Sequence, residues 1–135
     1  MMRLVLDTNV VFAAFAARGV CEAVFELCLE RGHLVSSEFL FAELADKLAK
    51  KLKLPPAEVE AIVRYYRSRC EVVAPVPVPE GACRDPADLP VLGTCLSGRA
   101  MCLVAGDKDL LDIHDYEGVK MMSPRDFFDR VSRAE

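Results

Sequence analysis

The stretch Arg3-Leu4-Val5-Leu6-Asp7-Thr8-Asn9 begins as a short apolar run and ends on a carboxylate. A run of this length closed by a polar residue reads as a buried strand, 3–6, stopping at Asp7. Far along the chain, Met101-Cys102-Leu103-Val104-Ala105-Gly106-Asp107 repeats the arrangement, with a strand over 101–105. Strands that are apolar on successive residues are buried on both faces, as in a parallel sheet covered by helices on each side.

The intervening segments supply the helices. Helical patterns cover 9–17 and 20–31, the second ended by Gly32. Residues 33–36 read as a strand, and Ser37 as the N-cap of a helix running to about 53, with Leu40, Leu44 and Leu48 on its buried stripe. Pro55-Pro56 opens a fourth helix with Val59, Ile62, Val63 and Tyr66 inward, and a strand follows over 71–74. The alternating prolines of Pro75-Val76-Pro77-Val78-Pro79 forbid a helix and favour an extended connector. Asp88 reads as the cap of a helix over 89–97, with Pro90 in its first turn, although Gly93 weakens that helix by about 1 kcal/mol relative to Ala. A short helix over 108–113, a strand over 119–122 and a last helix begun by Ser123-Pro124, with Phe127, Phe128 and Val131 inward, complete the chain. Strands alternating with helices predict an α/β fold: about five parallel strands in one domain spanning 1–135.

Composition narrows the function. The 135 residues are 53% hydrophobic and 28% charged, which argues for a packed core and against disorder. A net charge of −4 tells against a protein that grips nucleic acid by bulk positive charge, although an acidic site built for divalent metal would lower the charge by itself. The six cysteines form no CxxC pair, so zinc spacing is missing. With no leader-like start and no apolar run long enough to span a membrane, the expectation is reduced thiols in a cytoplasmic protein.

Ligands of open parallel sheets bind beyond the carboxyl ends of the strands. Asp7 and Asp107 follow strands there, and Asp88, at a helix N-terminus, points to the same edge. Glu43 borders the apolar stripe of its helix, where an unpaired carboxylate is costly to bury. Four clustered carboxylates repel one another, and a hard divalent cation such as Mg²⁺ or Mn²⁺ relieves that repulsion. Phosphodiester hydrolysis uses such an ion and needs neither histidine nor cysteine. Taken singly, each acid has a plainer reading: Asp7 and Asp88 as helix caps, Asp107 as a turn residue, Glu43 as a solvated edge residue. Their joint placement favours the site.

The segments carrying these acids resemble the motifs of PIN domains. Leu6-Asp7-Thr8-Asn9-Val10 is similar to the opening signature, and Ser37-Glu38-Phe39-Leu40-Phe41-Ala42-Glu43-Leu44 to the second motif. Arg84-Asp85-Pro86-Ala87-Asp88 is similar to the third and Val104-Ala105-Gly106-Asp107-Lys108-Asp109 to the fourth, in the same order over nearly the whole chain. The branch it most resembles is the VapC-like toxin components of prokaryotic toxin–antitoxin systems. The resemblance implies a PIN-like α/β/α sandwich, Mg²⁺ or Mn²⁺ held by Asp7, Glu43, Asp88 and Asp107, and endoribonuclease activity on RNA. It further implies Asp109 as an accessory acid, Asp85 acting through a water or shaping its loop, and Thr8, Asn9 and Ser37 orienting the acids. Homodimers and a small antitoxin partner are likewise implied. The run after Asp88, Leu89-Pro90-Val91-Leu92-Gly93, departs from the family pattern of a further polar residue and a plain helix.

Lys47, Lys50 and Lys51, with Arg64 and Arg67 of the next helix, are candidates for a phosphate-holding rim, against the plainer reading of solvated helix faces. Lys108 lies between two candidate acids and either meets phosphate or balances their charge. Tyr66 reads as a core residue rather than a base-stacking one. The rival functions are a nuclease acting on DNA or structured nucleic acid, and a catalytically silent binding module. A dehalogenase-type phosphotransferase would want Asp-x-Asp where this chain has Asp7-Thr8-Asn9, and a dinucleotide-binding enzyme a Gly-x-Gly-x-x-Gly that is absent.

Overall fold

A computed structural model describes residues 2–133. In chain order the elements are β1 (Met2–Leu6), α1 (Thr8–Ala16), α2 (Val20–Arg31), β2 (Gly32–Ser36), α3 (Glu38–Lys50), α4 (Pro56–Ser68), β3 (Cys70–Val72), α5 (Leu89–Ser97), β4 (Cys102–Val104), α6 (Lys108–Leu111), β5 (Asp115–Tyr116), β6 (Val119–Met122) and α7 (Pro124–Arg133). Two single 3₁₀ turns, Glu80–Ala82 and Pro86–Asp88, lie between β3 and α5. No described helix is long and apolar enough to cross a membrane.

The sheet order is β3-β2-β1-β4-β6-β5, and the first five of these strands run parallel. The α/β/α architecture expected from the sequence is therefore present, with one addition. β5 pairs antiparallel with β6 through a two-residue turn, Glu117-Gly118. Both turn residues have positive φ, 47° and 91°, the mirror-image backbone that matches strand twist in tight hairpins. A strand of two residues leaves too little periodicity to be read from sequence.

Alternate residues of each strand face opposite layers. Leu4, Leu6, Leu34, Cys102 and Val104 pack with Val24, Phe41, Leu48, Tyr66 and Phe127 of the helices on one side. Val5, Val35, Leu103 and Ala105 pack with Val91, Leu92, Cys95 and Leu110 on the other. Tyr66 is 2% exposed and stacks edge-on to Phe41, in keeping with a core role. All six cysteines are free, and burial pushes the Cys28 and Cys102 thiols up to about 12, so they behave as small apolar groups.

Helix ends depart from expectation in instructive ways. α3 stops at Lys50, short of 53. Ser37 occupies the N-cap position of α3, yet its side chain caps nothing. Its hydroxyl lies 2.9 Å from that of Thr94 on α5, both groups fully buried. Thr94 Oγ1 also lies 2.8 Å from the Pro90 carbonyl, one turn back. Since Thr94 has one hydroxyl proton and the carbonyl can only accept, Ser37 donates to Thr94. Asp88 is no cap either. Its backbone is already helical (φ −86°, ψ −9°), whereas an N-cap requires extended backbone, and its side chain makes no capping bond. By contrast, Ser123 Oγ accepts from Asp126 N at the start of α7, as its sequence suggests.

Gly93, which weakens α5 intrinsically, has a tertiary reason. The proline-rich connector crosses α5 there: Val76 N donates to the Gly93 carbonyl at 3.2 Å. A Cβ on Gly93 would stand 2.3 Å from the Val76 carbonyl oxygen. Only a residue without a side chain lets the two backbones approach so closely.

Candidate functional site

The chain proceeds outward from β1 through β2 to β3 and then returns to place β4 on the other side of β1. The switch point of the sheet thus lies between β1 and β4, and the crevice that such a topology makes is expected beyond their carboxyl ends. Asp7 extends β1, its N–H donating to the Val104 carbonyl of β4 at 2.9 Å. Asp107 stands three residues beyond Val104. The crevice is consequently flanked by two carboxylates as a matter of topology.

Asp7 is 7% exposed and sits at the N-terminus of α1 without capping it by its side chain. Its pKa is raised to about 6, chiefly by burial and also by the Glu43 and Asp107 carboxylates, against the lowering effects of the Thr8 backbone and Lys47. Glu43 reaches the crevice from the second turn of α3. Thr8 Oγ1, on a residue 5% exposed, donates to Glu43 Oε1 at 2.8 Å and joins the start of α1 to α3. Asp88, on the 3₁₀ turn ahead of α5, is pushed up to about 7 by burial, by the Asp107 carboxyl beside it, and by the charges of Asp7 and Asp85. Its Oδ2 is sealed from solvent and has no hydrogen-bond partner. Asp107 Oδ1 accepts from Asp109 N at 3.0 Å and caps α6. Asp7 thus feels Glu43 and Asp107, and Asp88 feels Asp107 and Asp7, so that each of the other three acids expected from the sequence has Asp7 as an electrostatic neighbour.

The other candidates divide. Asp85 Oδ1 accepts from Ala87 N at 3.0 Å and shapes the turn that carries Asp88. Asp109 lies 3.7 Å from Arg84 and lines a separate concavity with Cys83 and Asp112. Asn9 is exposed and bonds to none of the acids, and Ser37 is committed to Thr94. Lys108 pairs with Asp112 at 2.9 Å and Lys50 with Asp46 at 2.9 Å. Arg64 pairs with Glu60, and Arg67 with Glu38 while lying 4.5 Å over the Phe41 ring. The rim expected of these arginines is therefore engaged within the protein. Two residues near the site escaped the sequence reading. Thr94 carried a signal, as the lone hydroxyl in the apolar run Val91-Leu92-Gly93-Thr94-Cys95. Cys83, whose thiol the charges of Asp88, Asp85, Asp107 and Asp109 help to raise, carried none.

The donor set is chemically suited to a hard divalent cation. It is all oxygen, the carboxylates disfavour one another, and Asp88 Oδ2 is buried without a partner. Glu43 and Asp107 each engage one oxygen and leave the other uncommitted. Among the described residues, no group of three or more acids, histidines or cysteines is drawn in around a single point. A concavity of about 740 Å³ between α3 and α4 is walled by Ala42, Ala45, Leu54, Val59 and Val63 and includes none of the four acids. Chemistry rather than volume locates the site.

A family model described as PIN domain matches residues 3–109, which include every one of these acids. No curated protein matches the chain. Among solved structures, VapBC2 from Rickettsia felis, bound to a DNA fragment from their promoter, superposes with a TM-score of 0.64 at 16% identity, covering 90% of this chain and 98% of that one. PAE2754 from Pyrobaculum aerophilum superposes with a TM-score of 0.68 at 15% identity, covering 98% and 90%. At such identities the likeness is one of fold.

Proposed function

The chain belongs to the PIN domain family, and from that premise we propose that it is a metal-dependent endoribonuclease, the toxin component of a toxin–antitoxin pair. The observation that carries the reading is Asp7: a nearly buried carboxylate at the switch point of the sheet, not used as a cap, whose charge is opposed by Glu43 and Asp107. Such an arrangement is destabilising in isolation and becomes favourable when a cation joins it.

Asp7, Glu43, Asp88 and Asp107 would hold Mg²⁺ or Mn²⁺, with Asp109 as an outer acid. Bound there, the ion would supply Lewis-acid polarisation of a phosphoryl oxygen and an activated water. The residues themselves prepare the site. Thr8 fixes Glu43 so that Oε2 faces away from its hydrogen bond. The Asp109 N–H fixes Asp107 in the same manner. Asp85 holds the turn bearing Asp88, and the Ser37–Thr94 pair binds α3 to α5 on either side of the crevice. Such supporting bonds hold ligand orientation. The overall reaction adds water across an RNA phosphodiester bond, forming one P–O bond and breaking another. Support for the toxin role comes from the likeness of fold to a chain of the VapBC2 complex. The toxin reading carries with it a small antitoxin protein as partner, a homodimer, and action in the cytoplasm.

The test is cleavage of mixed RNA and single-stranded DNA by the purified chain with Mg²⁺, Mn²⁺ or EDTA, beside Asp7→Asn and Asp107→Asn. RNA cutting that requires metal and is lost in both variants is the expected result. Cutting of DNA alone would move the substrate class. No cutting of either polymer by folded protein free of any partner would favour a binding module.

A further inference from the structure

Several basic side chains of the described residues are spent on neighbouring acids. Lys50, Arg64, Arg67 and Lys108 are all in ion pairs. Lys47 is different. It follows Glu43 by one turn on α3, is half-buried, and forms no ion pair. The expected partner at that spacing, Glu43, is held by Thr8 instead. The positive charge of Lys47 is felt by Asp7, the most buried of the acids. One further turn on, at the C-cap of α3, stands Lys51, exposed and also without an ion pair among the described residues. Glu43, Lys47 and Lys51 fall on one face at i, i+4 and i+8, and together with Asp46 and Lys50 they wall a cleft of about 230 Å³ that has Glu43, of the four acids, in its lining.

Lys47 and Lys51 are committed to no single carboxylate, so their charge is open to an anion that enters the cleft, an inference that rests on the nuclease reading above. We infer that the cleft of Lys47 and Lys51 is a phosphate track: it receives the backbone phosphates of the RNA strand adjacent to the scissile one and leads the strand along α3 into the acids. Compact ammonium groups on flexible stems suit phosphates as point charges and carry no base preference. The track accounts for nucleic-acid binding by a chain of net charge −4: binding depends on two placed cations rather than on a basic surface.

The experiment is binding of a fluorescent single-stranded RNA oligonucleotide of mixed sequence to the full chain in EDTA, where no cleavage intrudes, across a salt series. Lys47→Ala/Lys51→Ala is compared with wild type and with Lys53→Ala, an exposed lysine that does not line the cleft. Each phosphate contact on a single strand contributes about 0.7 to the slope of log affinity against log salt. The double variant is expected to flatten that slope by about 1.4, so that the affinity lost between 50 and 200 mM salt shrinks roughly sevenfold. The Lys53 variant is expected to keep the wild-type slope. Unchanged slopes in the double variant, with its circular dichroism spectrum native, overturn the track. Binding of an acidic peptide, and not of RNA, through Lys47 and Lys51 overturns it equally, and assigns the cleft to a protein partner. A lysine-dependent slope in a chain that cuts no RNA leaves the track standing and removes the nuclease reading, so the two fail separately.

Discussion

Thr8 Oγ1 donates to Glu43 Oε1 at 2.8 Å across 35 residues of sequence, and the donor is almost wholly buried. The bond makes the residue after the central aspartate responsible for the pose of an acid on another helix. Thr8→Val keeps the shape and removes the donor. Its expected effect is a loss of roughly 10–100-fold in Mn²⁺ affinity, with a parallel loss of cleavage, as for other groups that orient metal ligands. The cost to stability should be only about 1 kcal/mol. Thr8→Ser should restore most of the affinity. Mn²⁺ titration calorimetry beside a urea melt separates the two effects, and equal affinity in the valine and serine variants would sink the idea.

The contact between Gly93 and Val76 yields a substitution whose sign opposes helix propensity. In an isolated helix Gly→Ala stabilises by about 1 kcal/mol. Here the added Cβ would meet the Val76 carbonyl oxygen at 2.3 Å, so either the connector or α5 must move. Overpacking of this kind costs about 1–3 kcal/mol. Gly93→Ala should therefore unfold at lower urea than wild type, with an unchanged m-value. An increase in the midpoint would show that the connector yields freely.

These two contacts mark the boundary of what the residues reveal when read in order. β1 and β4 are recognisable because each is an apolar run closed by a carboxylate, and burial on both faces follows from that pattern alone. Asp7, Asp88 and Asp107 are recognisable because they stand at strand or helix ends, and Glu43, inside α3, because it borders an apolar stripe at the place the family's order expects. The role of Asp88 was half seen: its place before α5 is correct, but capping depends on a backbone angle that the preceding Pro86–Asp88 turn imposes. Ser37 has the composition of a cap and is drawn away by Thr94, a partner 57 positions distant. Gly93 looks like a defect until the connector is laid across it. That Lys47 lacks the pair its spacing suggests is likewise a tertiary property, since Glu43, one turn before it, is held by Thr8 from another helix.

The buried hydroxyl pair invites a double-mutant cycle. Thr94→Val leaves the Ser37 hydroxyl buried without its acceptor, a loss of about 1–3 kcal/mol. Ser37→Ala alone removes a donor whose acceptor keeps its bond to the Pro90 carbonyl, and should cost less. Replacing both groups should cost less than the sum of the single changes, with a coupling of about 0.5–3 kcal/mol for residues in direct contact. Strict additivity in denaturant melts would mean that the two hydroxyls are not energetically joined.

The acids also set a dependence of stability on pH whose direction can be worked out. Asp7 and Asp88 have folded-state pKa values raised to about 6 and about 7, from 3.8. The folded chain then binds more protons than the unfolded one between about pH 4 and pH 7, so in EDTA its stability falls as pH rises through that window and is level above it. For Asp7, nearly buried, the loss is on the order of 3 kcal/mol. The lowered acids Glu38, Glu71 and Asp112 are exposed and act in the opposite sense only below about pH 4.5, where their protonation removes weak stabilisation. A thermal midpoint lower by roughly 10 °C at pH 8 than at pH 5 is expected in EDTA. Divalent metal binds the ionised acids of the folded state, so Mn²⁺ should raise the midpoint more at pH 8 than at pH 5. Asp7→Asn should be more stable than wild type at pH 8 in EDTA and should lose the response to Mn²⁺. A wild-type midpoint that is flat or rising from pH 5 to pH 8 without metal would mean that these carboxylates are not held against their charge.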